Sequence, residues 1–399
     1  MKKIALLFIF ILAFGCTKKE DSKIKFWNFW SEPSQTAVLK ELISEFEKEN
    51  DCQVELTELT WNDGKTKLMF AFNSETAPDV MELGSDWIAQ FSSSGVLYEM
   101  NKDSMKTSEF LPNSLAPGMW KSKFFALPWV IDTRVMFYNK DLASKAGLNT
   151  APTTLDQMLE LATAINDAGA FGYGANGSDP HRLYKKILPF FWTYGGEIIN
   201  DSGKSALFSP QNIAALEKYA ELSRTGLVET QREIDAQFAQ GKVGFWNSGS
   251  WLFKKLAKAD FQYGIFPLPG KAGEIGTSFA GGEYLSINAK SKNIEKSKKL
   301  VAFLTSEKAA LQLCQKIPEA GFPANIKGFE NDFFKNDANK NIFREQLKTS
   351  KMTPVHPKWL EIEAIIENAV VEVLLAKKSA YGALLEAHNQ INNLLEPNV

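Results

Sequence analysis

The sequence predicts an α/β fold on three observations. Short apolar strands alternate with amphipathic helices, the strands recur at one β-α repeat, and the composition can fill large cores. Strand starts near residues 25, 54 and 79 lie that repeat apart, so a parallel sheet covered by helices is the economical arrangement. The 399 residues are 44% hydrophobic and 23% charged, which excludes a disordered chain and suggests two or three domains or one large bilobed unit. With 45 basic against 47 acidic residues, no basic surplus points to nucleic acid. Three His and three Cys, none at C-x-x-C or H-x-x-x-H spacing, argue against a built-in zinc site. No cofactor is expected.

Lys2 and Lys3 precede an apolar run from Ile4 to Phe14, followed by Gly15 and Cys16. Eleven helical residues reach only about 16 Å against a hydrocarbon core of about 30 Å, so residues 1–15 read as a secretory signal. The stretch Leu12-Ala13-Phe14-Gly15-Cys16 resembles a bacterial lipobox, although Phe14 is bulkier than the small residue usual there. Lipidation at Cys16, with 16–23 as a polar tether, is the expectation; plain signal-peptidase cleavage nearby is the rival. No later stretch approaches about 18 continuous apolar residues, so the body is expected to be exported and soluble, tied to a lipid surface. Cys52 and Cys314 then sit in an oxidising setting, compatible with a disulfide or with two buried thiols.

Lys25 to Phe29 is an aromatic strand. Ser34 to Lys48 follows as a helix, with Val38, Leu39, Leu42, Ile43 and Phe46 at helical spacing behind Pro33. Val54 to Leu59 is a strand, Lys65 to Asn73 a helix, and Asp79 to Leu83 a strand entering a helix near Trp87. Ligands of open α/β sheets sit beyond the carboxyl ends of strands, where this chain offers Trp30-Ser31-Glu32 and Gly84-Ser85-Asp86. Residues 126–134 lead into the strand Val135 to Tyr138, and a second α/β set follows. It holds helices from Leu155 and from Asp179-Pro180, with strands at Lys242 to Trp246 and Tyr263 to Phe266. Gly281-Gly282-Glu283-Tyr284 opens a strand through Ile287, and a helix spans Glu295 to Gln315. Trp359 heads a last helix, with Ile362, Ile365, Ile366, Val370 and Val373 on its buried side.

Several motifs occur in order: Ala77-Pro78-Asp79-Val80 with Gly95-Val96-Leu97, then Leu127 to Arg134 with Phe137 to Asp141, and Tyr194-Gly195-Gly196-Glu197. Gly244 to Trp251, Phe266-Pro267-Leu268-Pro269-Gly270 and Gly281 to Tyr284 complete the set. From about residue 24 to the end the chain resembles an extracellular solute-binding protein of a bacterial ABC importer, in the sugar-binding group that includes maltose-binding protein. The resemblance implies a two-lobed type II periplasmic-binding-protein fold with an interlobe cleft and a multi-segment hinge. Lobe one would comprise 24–131 plus 283–326 and lobe two 135–280 plus 334–399, with hinges near 131–134, 280–282 and 325–333.

A sugar presents hydroxyl edges, which carboxylates, amides and Arg bind, and flat C–H faces, which Trp or Tyr cover. By resemblance, Trp30, Ser31 and Glu32 line the lobe-one edge with Asp86 nearby. Asp132 follows the hinge strand, Trp251 and Trp359 fall where relatives stack a sugar, and Glu283 follows the glycine pair. Arg134 is equally compatible with an interlobe salt bridge, Asp179 with helix N-capping, and Glu32 and Asp86 with capping. Core packing is the plain alternative for Trp251 and Trp359. Trp27 and Trp246 read as core, while Trp129 and Trp192 are open.

The leading expectation is a non-enzymatic, monomeric receptor that captures a mono- or oligosaccharide and hands it to ABC permease subunits in the membrane. Glycerol phosphate, an opine or a polyamine are alternative solutes. A carbohydrate-active enzyme using two of Glu32, Asp86, Asp132 and Glu283, or a sensor or adhesion lipoprotein with a degenerate pocket, are the other classes.

Overall fold

A computed structural model describes residues 23–148 and 150–396; the signal run and Cys16 lie outside the described residues. The first strands are β1 (Ile24–Asn28), β2 (Val54–Glu58) and β3 (Val80–Gly84), followed by a short hairpin of β4 (Met119–Trp120) and β5 (Lys123–Phe124). Strand β6 (Ala126–Thr133) then crosses through Arg134 into β7 (Val135–Asn139). Next come β8 (Phe171–Asn176), β9 (Leu227–Glu229), β10 (Val243–Ser248) and β11 (Tyr263–Phe266). Finally β12 (Ala280–Ile287) and β13 (Phe322–Pro323) return to the first sheet. The two main sheets run β13-β6-β12-β3-β1-β2 and β11-β7-β10-β8-β9.

The parallel pairing expected from the repeat is present only in part. Strands β2, β1 and β3 are parallel to one another, as are β9, β8 and β10. Strand β12 is antiparallel to β3 and β6, and β7 to β10 and β11. The reason is topological: β7 and β12 each enter a sheet from the opposite lobe, so they run against the strands built by local β-α repeats.

Local sequence explains most elements. The helix Pro33–Asn50 starts at a capping box in which Glu32 and Gln35 exchange bonds, buries the five apolar residues named above, and stops at Asp51 in the left-handed region. One expected helix is two, Ile294–Leu304 and Glu307–Lys316, because the Ser306 hydroxyl accepts from the Ala309 N–H and starts a new N-terminus. The helix expected at Asp179-Pro180 begins instead at Tyr184, since His181 adopts a φ of 64° and the preceding residues form a turn. In the last-named helix, Trp359–Leu374, Ile365 is only half-buried, while Ile362, Ile366, Val370 and Val373 are buried as expected.

The lobes are stitched at one level. Thr133 Oγ1 lies 2.8 Å from both the Phe279 carbonyl oxygen and Ser350 Oγ, and Ser278 Oγ donates to the Arg134 carbonyl at 2.8 Å. Lys351 extends this by pairing through its backbone with Ser278 and Ala280. One apolar core runs from Phe26 and Leu42 through Trp129 and Val135 to Phe137 and Trp246, crossing the junction. A second fills the other lobe around Tyr173, Phe190 and Tyr219, against the helices Trp359–Leu374 and Ala380–Leu395. Cys52 and Cys314 are both buried and free, so the thiol alternative holds. Among the described residues no helix is long and apolar enough to cross a membrane.

Candidate functional site

The parallel strands β1, β2, β3, β8, β9 and β10 end at Asn28, Glu58, Gly84, Asn176, Glu229 and Ser248, and side chains just beyond these ends meet across the lobes. Tyr184 Oη donates to Asp86 Oδ2 at 3.1 Å, Arg182 reaches Asn62 at 3.4 Å, and Lys254 pairs with Glu32 and, at 3.3 Å, with Glu319. The lobes are closed on one another.

Within this seam Asp132 Oδ1 accepts from Arg134 Nη1 at 2.9 Å, and both side chains are largely shielded from solvent. The Arg134 guanidinium lies 5.1 Å from the centre of the Trp251 ring and 4.7 Å from that of Phe279. Trp251 is half-buried, and its ring packs so closely on Gly249 that an added Cβ would sit 1.9 Å from it. Glu283 faces Asp132 and Glu82; burial, then these two carboxylates, push its carboxyl well above the usual range. Glu82 is fully buried and accepts from the Phe29 N–H at 2.8 Å, and burial raises its carboxyl to about 8. The Glu82 carboxyl therefore stays largely protonated near neutral pH and presents an O–H donor.

The remaining expected residues divide. Trp30 is buried edge-on to Trp129, 6.2 Å between ring centres, and Trp359 is buried edge-on to Tyr184 at 5.8 Å. The indole N–H groups of Trp30, Trp129, Trp251 and Trp359 have no hydrogen-bond partner among the described residues. Ser31 and Glu32 are exposed at the rim, where Glu32 caps a helix and pairs with Lys254. Asp179 does not join the cluster. Its carboxylate accepts from the Gln231 N–H at 3.1 Å and faces Arg182 at 3.6 Å, both within its own lobe. Trp246 is core, as expected, and donates to Asp235 at 2.8 Å; Trp129 and Trp192 are buried, while Trp27 is only half-buried.

Several residues at the seam escaped the sequence reading. Lys186 and Glu363 are charges on the buried faces of their helices, a signal legible in the sequence as a charged residue at an apolar-face position. Glu363 Oε1 meets His181 Nδ1 at 2.5 Å; burial, opposed by that bond, raises its carboxyl to about 7. Lys65, whose ammonium is lowered by burial and supported by Asp86, lies 5.5 Å over Trp87. Trp61 stacks on Phe29 at 4.2 Å and is 43% exposed, leaving one indole face open beside Asn62.

Rings, neutral acid groups and paired charges gathered between two lobes define a protein that encloses a polar solute. The sequence model for bacterial extracellular solute-binding proteins matches residues 30–311, and the chain belongs to that family. Its members bind solutes and are not enzymes. The galactooligosaccharide-binding protein of Bacillus subtilis is 27% identical over 94% of this chain and 91% of its own length. The maltodextrin-binding protein MdxE of the same organism is 25% identical over 90% and 88%. A solute-binding protein of Thermotoga lettingae, solved with α-D-tagatose, superposes with a TM-score of 0.83 at 25% identity, covering 94% of this chain and all of that one. Maltose-bound MalE3 of T. maritima shares the fold, with a TM-score of 0.80 at 24% identity over 93% and 99%.

Proposed function

We propose that this chain is the capture subunit of an ABC importer, taking a mono- or oligosaccharide between its lobes and passing it to membrane permease subunits. The observation that carries this reading is Trp251: a half-buried ring with an unpartnered N–H beside the Asp132–Arg134 pair, offering a flat face and hydroxyl-binding edges together. Similarity to carbohydrate binders supports it. Closure is then what the permease reads, with residues 131–134, 280–282 and 325–333 acting as hinges between lobes 24–131 plus 283–326 and 135–280 plus 334–399. The chain works as an exported monomer held to the membrane by lipid on Cys16. A Cys16→Ser variant then appears in the soluble fraction, and membrane retention of that variant removes the anchor.

The deciding experiment is a thermal-shift screen over mono- and oligosaccharides. A ligand at 100 times its dissociation constant adds about 2.7 kcal/mol, which raises the melting temperature of a chain this size by about 3 °C. No shift with any sugar, beside a clear shift with glycerol phosphate, an opine or a polyamine, replaces the carbohydrate by that solute.

A further inference from the structure

The first turn of the helix Tyr184–Thr193 carries Lys186, whose side chain is almost fully buried. Its ammonium donates to the Asn247 carbonyl oxygen at 2.7 Å and lies 4.4 Å from the ring centre of Trp246 and 5.8 Å from that of Trp251. Among the described residues no carboxylate pairs with it. The two acids whose charge it feels are engaged elsewhere: Asp132 by Arg134 at 2.9 Å, and Asp235 by Trp246 at 2.8 Å and by Ser248 and Lys255, each at 3.3 Å.

Around this amine lie further groups without partners among the described residues. Both side-chain atoms of Asn247, the Ser250 hydroxyl and Arg134 Nε are buried and unbonded. Lys185 adds a third cation nearby, 5.7 Å from the ring centre of Phe279, which also stacks with Arg134. Three cations thus gather where the two carboxylates whose charge Lys186 feels, Asp132 and Asp235, are already engaged, the latter also by Lys255. A buried ammonium without a counter-ion is costly, and the cost is recovered when an anion is brought beside it.

We infer that the captured sugar carries an acidic substituent, and that Lys186, flanked by Arg134, receives it between Trp251 and Asn247. The inference rests on the carbohydrate reading above and narrows it. Burial lowers the Lys186 ammonium to about 7, so an anion beside it would hold it fully charged. Uronates and phosphorylated sugars share the required chemistry.

Calorimetric titration of the full chain at pH 7 separates them. Galacturonate oligomers are compared with galactose oligomers, and glucose 6-phosphate with glucose, using wild type and Lys186→Met. At least one acidic sugar should bind wild type about tenfold or more tightly than its neutral counterpart, and the arm that does so identifies the acid. In Lys186→Met that preference should fall to within about threefold. Neutral sugars binding wild type as tightly as acidic ones overturns the inference and leaves the carbohydrate reading standing. A preference that survives in Lys186→Met also overturns it. Silence of every sugar, with a cooperative melt of the wild type, overturns both. The wild-type comparison decides the matter even where the variant fails to fold.

Discussion

The phenolic hydroxyl of Tyr184, on a helix of the second lobe, donates to the carboxylate of Asp86, in the turn after β3 of the first, at 3.1 Å. This bond spans the cleft and exists only when the lobes are shut, so its free energy belongs to closure. Tyr184 is buried, held edge-on by Trp359 and Phe279, with its backbone N–H bonded to Glu367 at 3.0 Å. Its position is therefore set before the lobes meet.

Tyr184→Phe should keep that packing and lose the bond. A hydrogen bond to a charged group contributes about 1.5 to 3 kcal/mol, so ligand affinity should fall by about tenfold or more while the melting temperature without ligand changes little. Calorimetric titration measures this. Unchanged affinity would show that Tyr184 and Asp86 meet without helping closure.

The Trp251 ring packs against Gly249, where even one methyl group cannot be accommodated without moving the ring. Trp251→Ala should remove most sugar binding with an unchanged far-UV CD spectrum, because the ring is half-buried at the seam and not sealed in a core. Gly249→Ala leaves the indole present but displaced, and should lose affinity by a similar factor. Full binding by Gly249→Ala would show that ring position does not matter. Trp359→Ala is the contrast: its ring is almost fully buried, so its removal should cost about 3 to 5 kcal/mol of stability, read from the denaturation midpoint.

The sequence exposed the elements whose signals are local. The repeat of β1, β2 and β3 and the apolar stripe of Pro33–Asn50 needed no tertiary knowledge. The antiparallel insertion of β12 had no local signal, since it depends on the chain returning from another lobe. Site legibility divides in the same way. Asp132, Arg134 and Trp251 stand in recognisable motifs and do meet. Asp179 looked alike in sequence, but its carboxylate is spent on a neighbouring helix N-terminus. Lys186 was legible only as a charge out of place, and Tyr184 was hidden because a buried helix face is where core aromatics are expected; only the packing shows which of them point at the seam.

Glu82 offers a test of how the cleft's acids are held. It sits in the fully buried strand β3, with one oxygen bonded to the Phe29 N–H and the other unbonded among the described residues. Its carboxyl is raised to about 8 by burial, against 4.5 when unfolded, so between these values the folded chain holds a proton that the unfolded chain has released. Stability from this group is complete below about pH 4.5 and is lost as pH rises towards 8, at up to about 1.4 kcal/mol per pH unit. Glu82→Gln keeps an acceptor for Phe29 and cannot ionise. Its denaturation midpoint should match wild type near pH 5 and exceed it increasingly up to pH 8. Other groups such as Glu363 and His181, both raised, add slopes of the same sign to both proteins, so the difference between the two isolates Glu82. Parallel curves for variant and wild type would mean that Glu82 is already ionised in the folded protein.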